Sequence, residues 1–320
     1  MQKNSVIALL PRLGRNIRGL AQDFWKDGPK NPLLFKFKSE HKHKDTVPAP
    51  GVKTGGAAVQ KNGKSVSDKL WHAAPAEISE KMWGEGFVTP GTNYITDLLV
   101  KPLGITKDMN ILDLSAGLGG RIRKISHETG AYVTGLEPDT GIAQRGMEMS
   151  KQMGRSKHAP VEHYNPESLT FTRAYDCVIA QETFYRISDK DAFFKIIADG
   201  LKQRGNLVFT DYIVDPENRD KPAIIAWQAV ESSASPLGFV ETAERWAKVG
   251  VNIRISEDLS DFYKNEVAKG LIRLQEFLAS GIKPDSETKQ ALQKRIKTWA
   301  HRMSAMEQGM KFYRFYGAKR

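Results

Sequence analysis

The chain has a single cysteine in 320 residues, Cys177, so no disulfide can form within it. That thiol lies in an apolar run and reads as a small buried hydrophobe. The seven histidines are scattered, without the ligand spacing of a metal site, and no metal is expected. Long apolar runs are also missing. The most apolar stretch near the start, from Val6 to Trp25, is broken by Arg12, Arg15 and Arg18. It is too short and too charged to span a bilayer. Acidic residues are scarce at that same end. Residues 1–64 hold 13 Lys/Arg against 4 Asp/Glu, so this fifth of the chain carries most of the net charge of +11. Large apolar residues are scarce from 44 to 67, where Gly, Pro and Lys dominate, which is the composition of a flexible linker.

What remains is enough for a sizeable core. The hydrophobic content of 40% and the length allow one large domain with additions. From Met109 onward the chain reads M-N-I-L-D-L-S-A-G-L-G-G-R-I-R-K. An apolar strand ending near Leu114 gives way to a small-residue turn, Ser115 to Gly120, and then to a helix with Arg121, Arg123 and Lys124 in its first turns. Strand, Gly-rich turn and helix N-terminus are the grammar of a nucleotide-type site. Gly117 and Gly119 let the backbone approach a ligand because they lack Cβ. The glycine spacing differs from that of dinucleotide folds, and Asp113 stands two residues before the turn.

Further elements alternate along the chain. A second strand, 131–137, ends in Glu137. A third, 161–165, is followed by Pro166-Glu167-Ser168-Leu169-Thr170-Phe171. A fourth, 175–180, is followed by Gln181, Glu182 and Tyr185. A helix over 192–201, closed by Lys202 to Gly205, precedes a fifth strand, 205–212. This βα alternation predicts a parallel sheet covered on both faces, with ligands at the carboxyl ends of its strands. Beyond it, helices are expected over 221–233 and 239–248 and a strand over 251–255. Two long helices follow, the first opened by Ser256 as N-cap and running to about 280, the second over about 286–308. A last strand covers 310–319.

Asp113, Gly117 and Gly119, with Ser115 in place of a first glycine, resemble motif I of class I S-adenosylmethionine (SAM) dependent methyltransferases. The segment Met82-Trp83-Gly84-Glu85-Gly86-Phe87-Val88-Thr89-Pro90-Gly91 resembles the lead-in of phosphoethanolamine and glycine/sarcosine N-methyltransferases. The resemblance spans roughly residues 78–215. It implies an α/β, Rossmann-like, seven-stranded mostly parallel sheet with an antiparallel last strand, and SAM as cofactor. It further implies that Thr89, Asp113, Ser115, Gly117, Gly119, Glu137, Asn165 and Gln181 bind the cofactor, with Glu137 on the ribose hydroxyls and Asn165 near adenine. Pro166 departs from the pattern because it has no N–H to offer adenine. Arg186 stands where the phosphoethanolamine enzymes carry a His, and of their phosphobase cluster only Tyr212 has a counterpart.

On this reading residues 1–67 form a basic arm and linker, and 68–320 a methyltransferase domain with a helical insertion at 256–308. Glu182 and Tyr185 are candidates to orient or deprotonate a methyl acceptor, and Tyr212 to bind it. The expected acceptor is a small molecule or lipid headgroup, with an amine preferred. The arm has the pattern of a basic amphipathic helix, suited to an anionic membrane, a protein partner or its own domain, and less to nucleic acid. A homo-oligomer fits the helical insertion as a dimer contact. The expected location is cytoplasmic or peripheral to a membrane, and the acid-poor, Arg-bearing start also resembles an organelle transit peptide. Two alternatives stay open: a methyltransferase acting on RNA or protein, and a non-catalytic SAM-fold subunit. Ala180-Gln181-Glu182-Thr183 lacks the N-P-P-Y-type tetrapeptide of amide methylation.

Overall fold

The structure is a computed structural model that describes residues 75–280 and 286–320. The basic arm, the linker and the boundary expected at residue 67 lie outside the described residues. Seven strands form one sheet: β1 (Asn110–Asp113), β2 (Tyr132–Glu137), β3 (Val161–His163), β4 (Tyr175–Gln181), β5 (Leu201–Ile213), β6 (Val251–Asp258) and β7 (Lys311–Lys319), in the order β3-β2-β1-β4-β5-β7-β6. The pairs among β1 to β5 are all parallel. β7 runs antiparallel to both β5 and β6. The sheet is thus the Rossmann-like, mostly parallel one expected, with its antiparallel last strand wedged between β5 and β6.

The nine described helices are α1 (Pro75–Trp83), α2 (Thr92–Val100), α3 (Gly120–Thr129), α4 (Thr140–Gln152), α5 (Lys190–Gly200), α6 (Pro222–Val230), α7 (Phe239–Lys248), α8 (Ser260–Ala279) and α9 (Ser286–Glu307). Local chemistry sets many of their ends. Asp139 caps α4 by accepting from the Ile142 N–H at 2.9 Å, and Asp189 caps α5 through the Ala192 N–H at 3.0 Å. Gly130, with φ 75°, closes α3 in the left-handed conformation.

The central strands are buried on both faces, as a covered parallel sheet requires; Cys177, Val178, Ile179 and Ala180 have no exposed surface. On one side Phe184, Phe194, Phe209 and Trp246 stack into an aromatic core, with the Phe194 and Trp246 rings 4.0 Å apart and nearly parallel. The helical insertion is held by a second aromatic group. Tyr263 of α8 stacks on Phe312 of β7 at 3.8 Å, and Trp299 of α9 meets Trp83 of α1 edge-on at 5.1 Å.

Two boundaries differ from the sequence expectation. Ser256 does not open a helix. Ser256, Glu257 and Asp258 continue β6 because they pair with Phe315, Arg314 and Tyr313 of β7, and α8 begins only at Ser260. Nor does Gly205 close α5. The helix ends at Gly200 and β5 starts at once, with Lys202 to Gly205 absorbed in a register shift against β4 and Arg204 at φ 62°. In both places strand pairing overrides a local helix signal.

Candidate active site at the carboxyl ends of the strands

The strand order reverses between β1 and β4, so a crevice opens beyond their carboxyl ends, the place where such sheets bind ligands. The Gly-rich turn follows β1, and Gln181 ends β4 with Glu182 next after it. Gly117 and Gly119 adopt left-handed φ values of 55° and 82°, which side chains with a Cβ resist. A Cβ on Gly117 would stand 2.6 Å from Val88 Cγ2. The lead-in segment therefore lies directly on the turn, and the Gly120 N–H donates to the Gly86 carbonyl at 2.9 Å. Thr89 is half-buried in this segment.

Ser115 has ordinary backbone geometry, since Thr92, Glu182 and Arg204 are the non-glycine residues with positive φ among those described. Its hydroxyl works as a joint. It donates to Asp113 Oδ1 at 3.0 Å and accepts from the Gln181 N–H at 2.7 Å and Arg121 Nη2 at 2.8 Å. Asp113 is wholly buried and bound in turn by Arg121, Nε to Oδ2 at 2.7 Å and Nη2 to Oδ1 at 3.1 Å. Arg121 Nη1 donates to Gln181 Oε1 at 2.6 Å, and the Gln181 amide donates to the Pro90 carbonyl at 3.1 Å. Arg121, read from sequence only as a basic residue at a helix start, thus ties β1, the turn, β4 and the lead-in together. A cation in the first turn opposes the helix dipole, and the buried Asp113 offsets it.

Glu137 ends β2 and is buried. Its Oε2 accepts from the Gly117 N–H at 3.0 Å and its Oε1 from the Asp139 N–H at 2.9 Å. Burial pushes its carboxyl up to about 7, against the pull of those two N–H donors. Among the described residues neither oxygen is bound to a cation at ion-pair distance. Asn165 is exposed, and its Oδ1 accepts from the Glu167 N–H at 3.0 Å, capping the turn 166–168. Tyr164 beside it is buried and donates to the Leu114 carbonyl at 3.1 Å. A cavity of about 310 Å³ runs along this edge, lined in part by Leu136, Tyr164, Asn165, Leu169 and Tyr175.

Glu182 sits just past β4 at φ 52°, a strained conformation for glutamate of the kind that clusters at functional sites. Its Oε1 accepts from Tyr263 at 2.7 Å, and its Oε2 from Tyr212 at 3.2 Å and Arg302 at 3.0 Å. Tyr185 donates to Glu231 at 3.0 Å and accepts from Arg302 Nη2 at 2.7 Å. Burial raises the Tyr185 and Tyr212 hydroxyls above their ordinary range, so both stay protonated. Asp211 beneath them accepts the Tyr185 and Tyr212 backbone N–H groups at 2.9 and 2.8 Å, and burial lifts its carboxyl to about 7. Glu182, Tyr185 and Tyr212 are therefore brought into one cluster, together with Tyr263, an insertion aromatic that reads from sequence as core packing, and with Glu231 and Arg302, which sequence reasoning did not single out. The overlooked signal is a cation on the apolar stripe of α9, in the helical series Leu292, Trp299, Arg302, Met306. Among the described residues no group of three His, Cys, Asp or Glu is placed to hold a metal.

Residues 112–209 match the model of a family described as a methyltransferase domain. The chain is similar to named N-methyltransferases. It is 24% identical over 198 residues to phosphoethanolamine N-methyltransferase 1 of Zea mays, covering 61% of this chain and 38% of that one. It is 27% identical over 161 residues to the glycine/sarcosine/dimethylglycine N-methyltransferase of Actinopolyspora halophila, covering 49% and 28%. The chain spans between about a quarter and two fifths of the length of the plant relatives it matches. In fold it is similar to Haemonchus contortus phosphoethanolamine N-methyltransferase 2, solved in complex with phosphomonomethylethanolamine and S-adenosylhomocysteine. That likeness has a TM-score of 0.67 at 17% identity and covers 80% of this chain and 58% of that one.

Proposed function

We propose that this protein is a SAM-dependent methyltransferase whose acceptor is a small molecule carrying an amine. The observation that carries the reading is Glu137. A buried carboxylate at the tip of β2 is bound to the N–H of the Gly-rich turn yet, among the described residues, has no cation at ion-pair distance. Each carboxylate oxygen has a lone pair beyond the one its N–H uses. Two such acceptors suit the adjacent hydroxyls of a ribose, and they stand beside the left-handed turn, which the lead-in segment covers. The residues fit SAM at this end of the site. They fit adenine less fully, because Pro166 has no N–H and Asn165 Oδ1 is already taken by the Glu167 N–H.

Bound SAM would supply an electrophilic methyl group on a sulfonium, so the chain itself has to position rather than activate. Glu137 would hold the ribose. Gln181 fixes the lead-in over the turn, which keeps Thr89 and Val88 against the crevice and water out of it. Glu182 is the candidate to take the proton of an amine, with Tyr185 and Tyr212 as protonated donors that orient the acceptor. The plant and bacterial relatives named for amine methylation support this acceptor class. Titration calorimetry with SAM on the wild type and on Glu137→Ala tests the reading. Micromolar binding by the wild type and a loss of tenfold or more in the variant are expected. No binding by the folded wild type would leave the alternative of a non-catalytic subunit.

The basic residues 1–64 are proposed to bring the domain to an anionic membrane surface, where headgroup amines are available. Their excess of Lys and Arg supports this reading.

A further inference from the structure

The crevice beyond β4 and β5 is filled by the protein's own cation. Arg302 of α9 is almost wholly buried, and its guanidinium is enclosed by two carboxylates and three aromatic rings. Nη1 donates to Glu182 Oε2 and Tyr212, Nη2 to Tyr185 and Glu231 Oε2, and Nε to Glu231 Oε1. Its carbon lies 4.6 Å from the centre of the Trp299 ring and 5.3 Å from that of Tyr212. Tyr263 closes the far side by donating to Glu182.

Stability alone accounts poorly for such an arrangement, since a buried ion pair is seldom better than apolar residues of the same volume. As a receptor it is well made. Carboxylates with protonated tyrosines and an indole face are the surroundings that select an organic cation. The chamber also stands at the carboxyl ends of the strands, beside the strained Glu182. We propose that this chamber is a binding site for a small organic monocation, of the guanidinium or ammonium class, which the resting chain fills with Arg302. An external cation then enters only where the Arg302 side chain leaves. That the cation is the methyl acceptor rests on the proposed function; the existence of the cation site does not.

Arg302→Ala removes the enclosed cation while Arg186, 3.6 Å from Glu231 at the edge of the chamber, stays in place, and ethylguanidinium replaces the lost group atom for atom beyond Cβ. Ethylurea has the same shape without the charge. The melting temperature of the variant is measured with each compound at low millimolar concentration, far below denaturing levels. Ethylguanidinium is expected to raise it by roughly 4 °C or more, with ethylurea inert and the wild type unmoved by either. Equal shifts from both compounds, or none from ethylguanidinium, would overturn the proposal. Should the variant be insoluble, it is refolded from urea with each compound. Recovery with ethylguanidinium alone supports the site, and equal recovery or none overturns it. Neither assay contains SAM, so a failure here is separate from a failure of the methyl-transfer reading.

Discussion

Glu137 shows how one buried carboxyl sets opposite pH trends. Its folded value of about 7 lies above the ordinary carboxylate value because of burial. The folded protein therefore holds this proton more tightly than the unfolded chain. The stability this confers is complete below about pH 4.5 and is lost as pH rises through 7. Ligand binding runs the other way, since only the ionised carboxylate offers acceptors to both ribose hydroxyls. SAM affinity is expected to climb between about pH 6 and 8 in calorimetric titrations, and Glu137→Gln should flatten that climb and bind weakly throughout. Charged hydrogen bonds of roughly 1.5–3 kcal/mol each set the scale of the loss. An unchanged slope in the variant would move the titrating group elsewhere, with Asp211 next in line. The place of Glu137 was legible in the sequence because it is local, an acid closing an apolar strand one βα unit after Asp113. Arg302 was not, because its partners Glu182 and Glu231 come from distant parts of the chain and no periodicity joins them.

The joint between β1, the Gly-rich turn and α3 depends on Arg121 and Asp113 together. Removing the cation leaves Asp113 buried with no compensating charge. Arg121→Ala should then cost about 3–5 kcal/mol, read as a lower urea midpoint. Replacing the pair, with Asp113→Leu and Arg121→Met, should recover much of it. A double variant no more stable than the single one would show that the hydrogen bonds to Ser115 and Gln181 matter more than the charge. The contact between the turn and the lead-in makes a separate prediction. Gly117→Ala meets Val88 and also strains a left-handed residue, so Val88→Ala should restore only the part due to collision. Full restoration, measured by the same unfolding assay, would mean that the turn tolerates a Cβ. At this scale the sequence located all seven strands and six of the nine described helices, and left α1, α2 and α4 unread. It failed where pairing decided, at Ser256 and Gly205, since a Ser before acids or a Gly after basic residues reads the same whether or not a neighbouring strand is present.

For the molecule as a whole, charge divides unevenly between the first 64 residues and the rest. A variant beginning at Ser65 is expected to bind SAM as the full chain does and to lose its association with anionic vesicles. Each Lys or Arg near such a surface contributes about 1 kcal/mol, weakened by salt. Flotation of both forms at low and high salt measures this, and equal flotation would remove the arm from membrane contact. The placement of β7 has a consequence for the order of assembly. Among the described residues β6 is joined to the sheet only through β7, and the insertion helices lie between them in sequence. As the polypeptide emerges from the ribosome, β1 to β5 can pair in sequence, each with strands already made. β6 and both insertion helices must wait. The exposed edge of β5 is then open to wrong partners, including the β7 of a neighbouring nascent chain. The acceptor side of the crevice, which draws Arg302 and Tyr263 from that late segment, is the last part of the molecule to take shape.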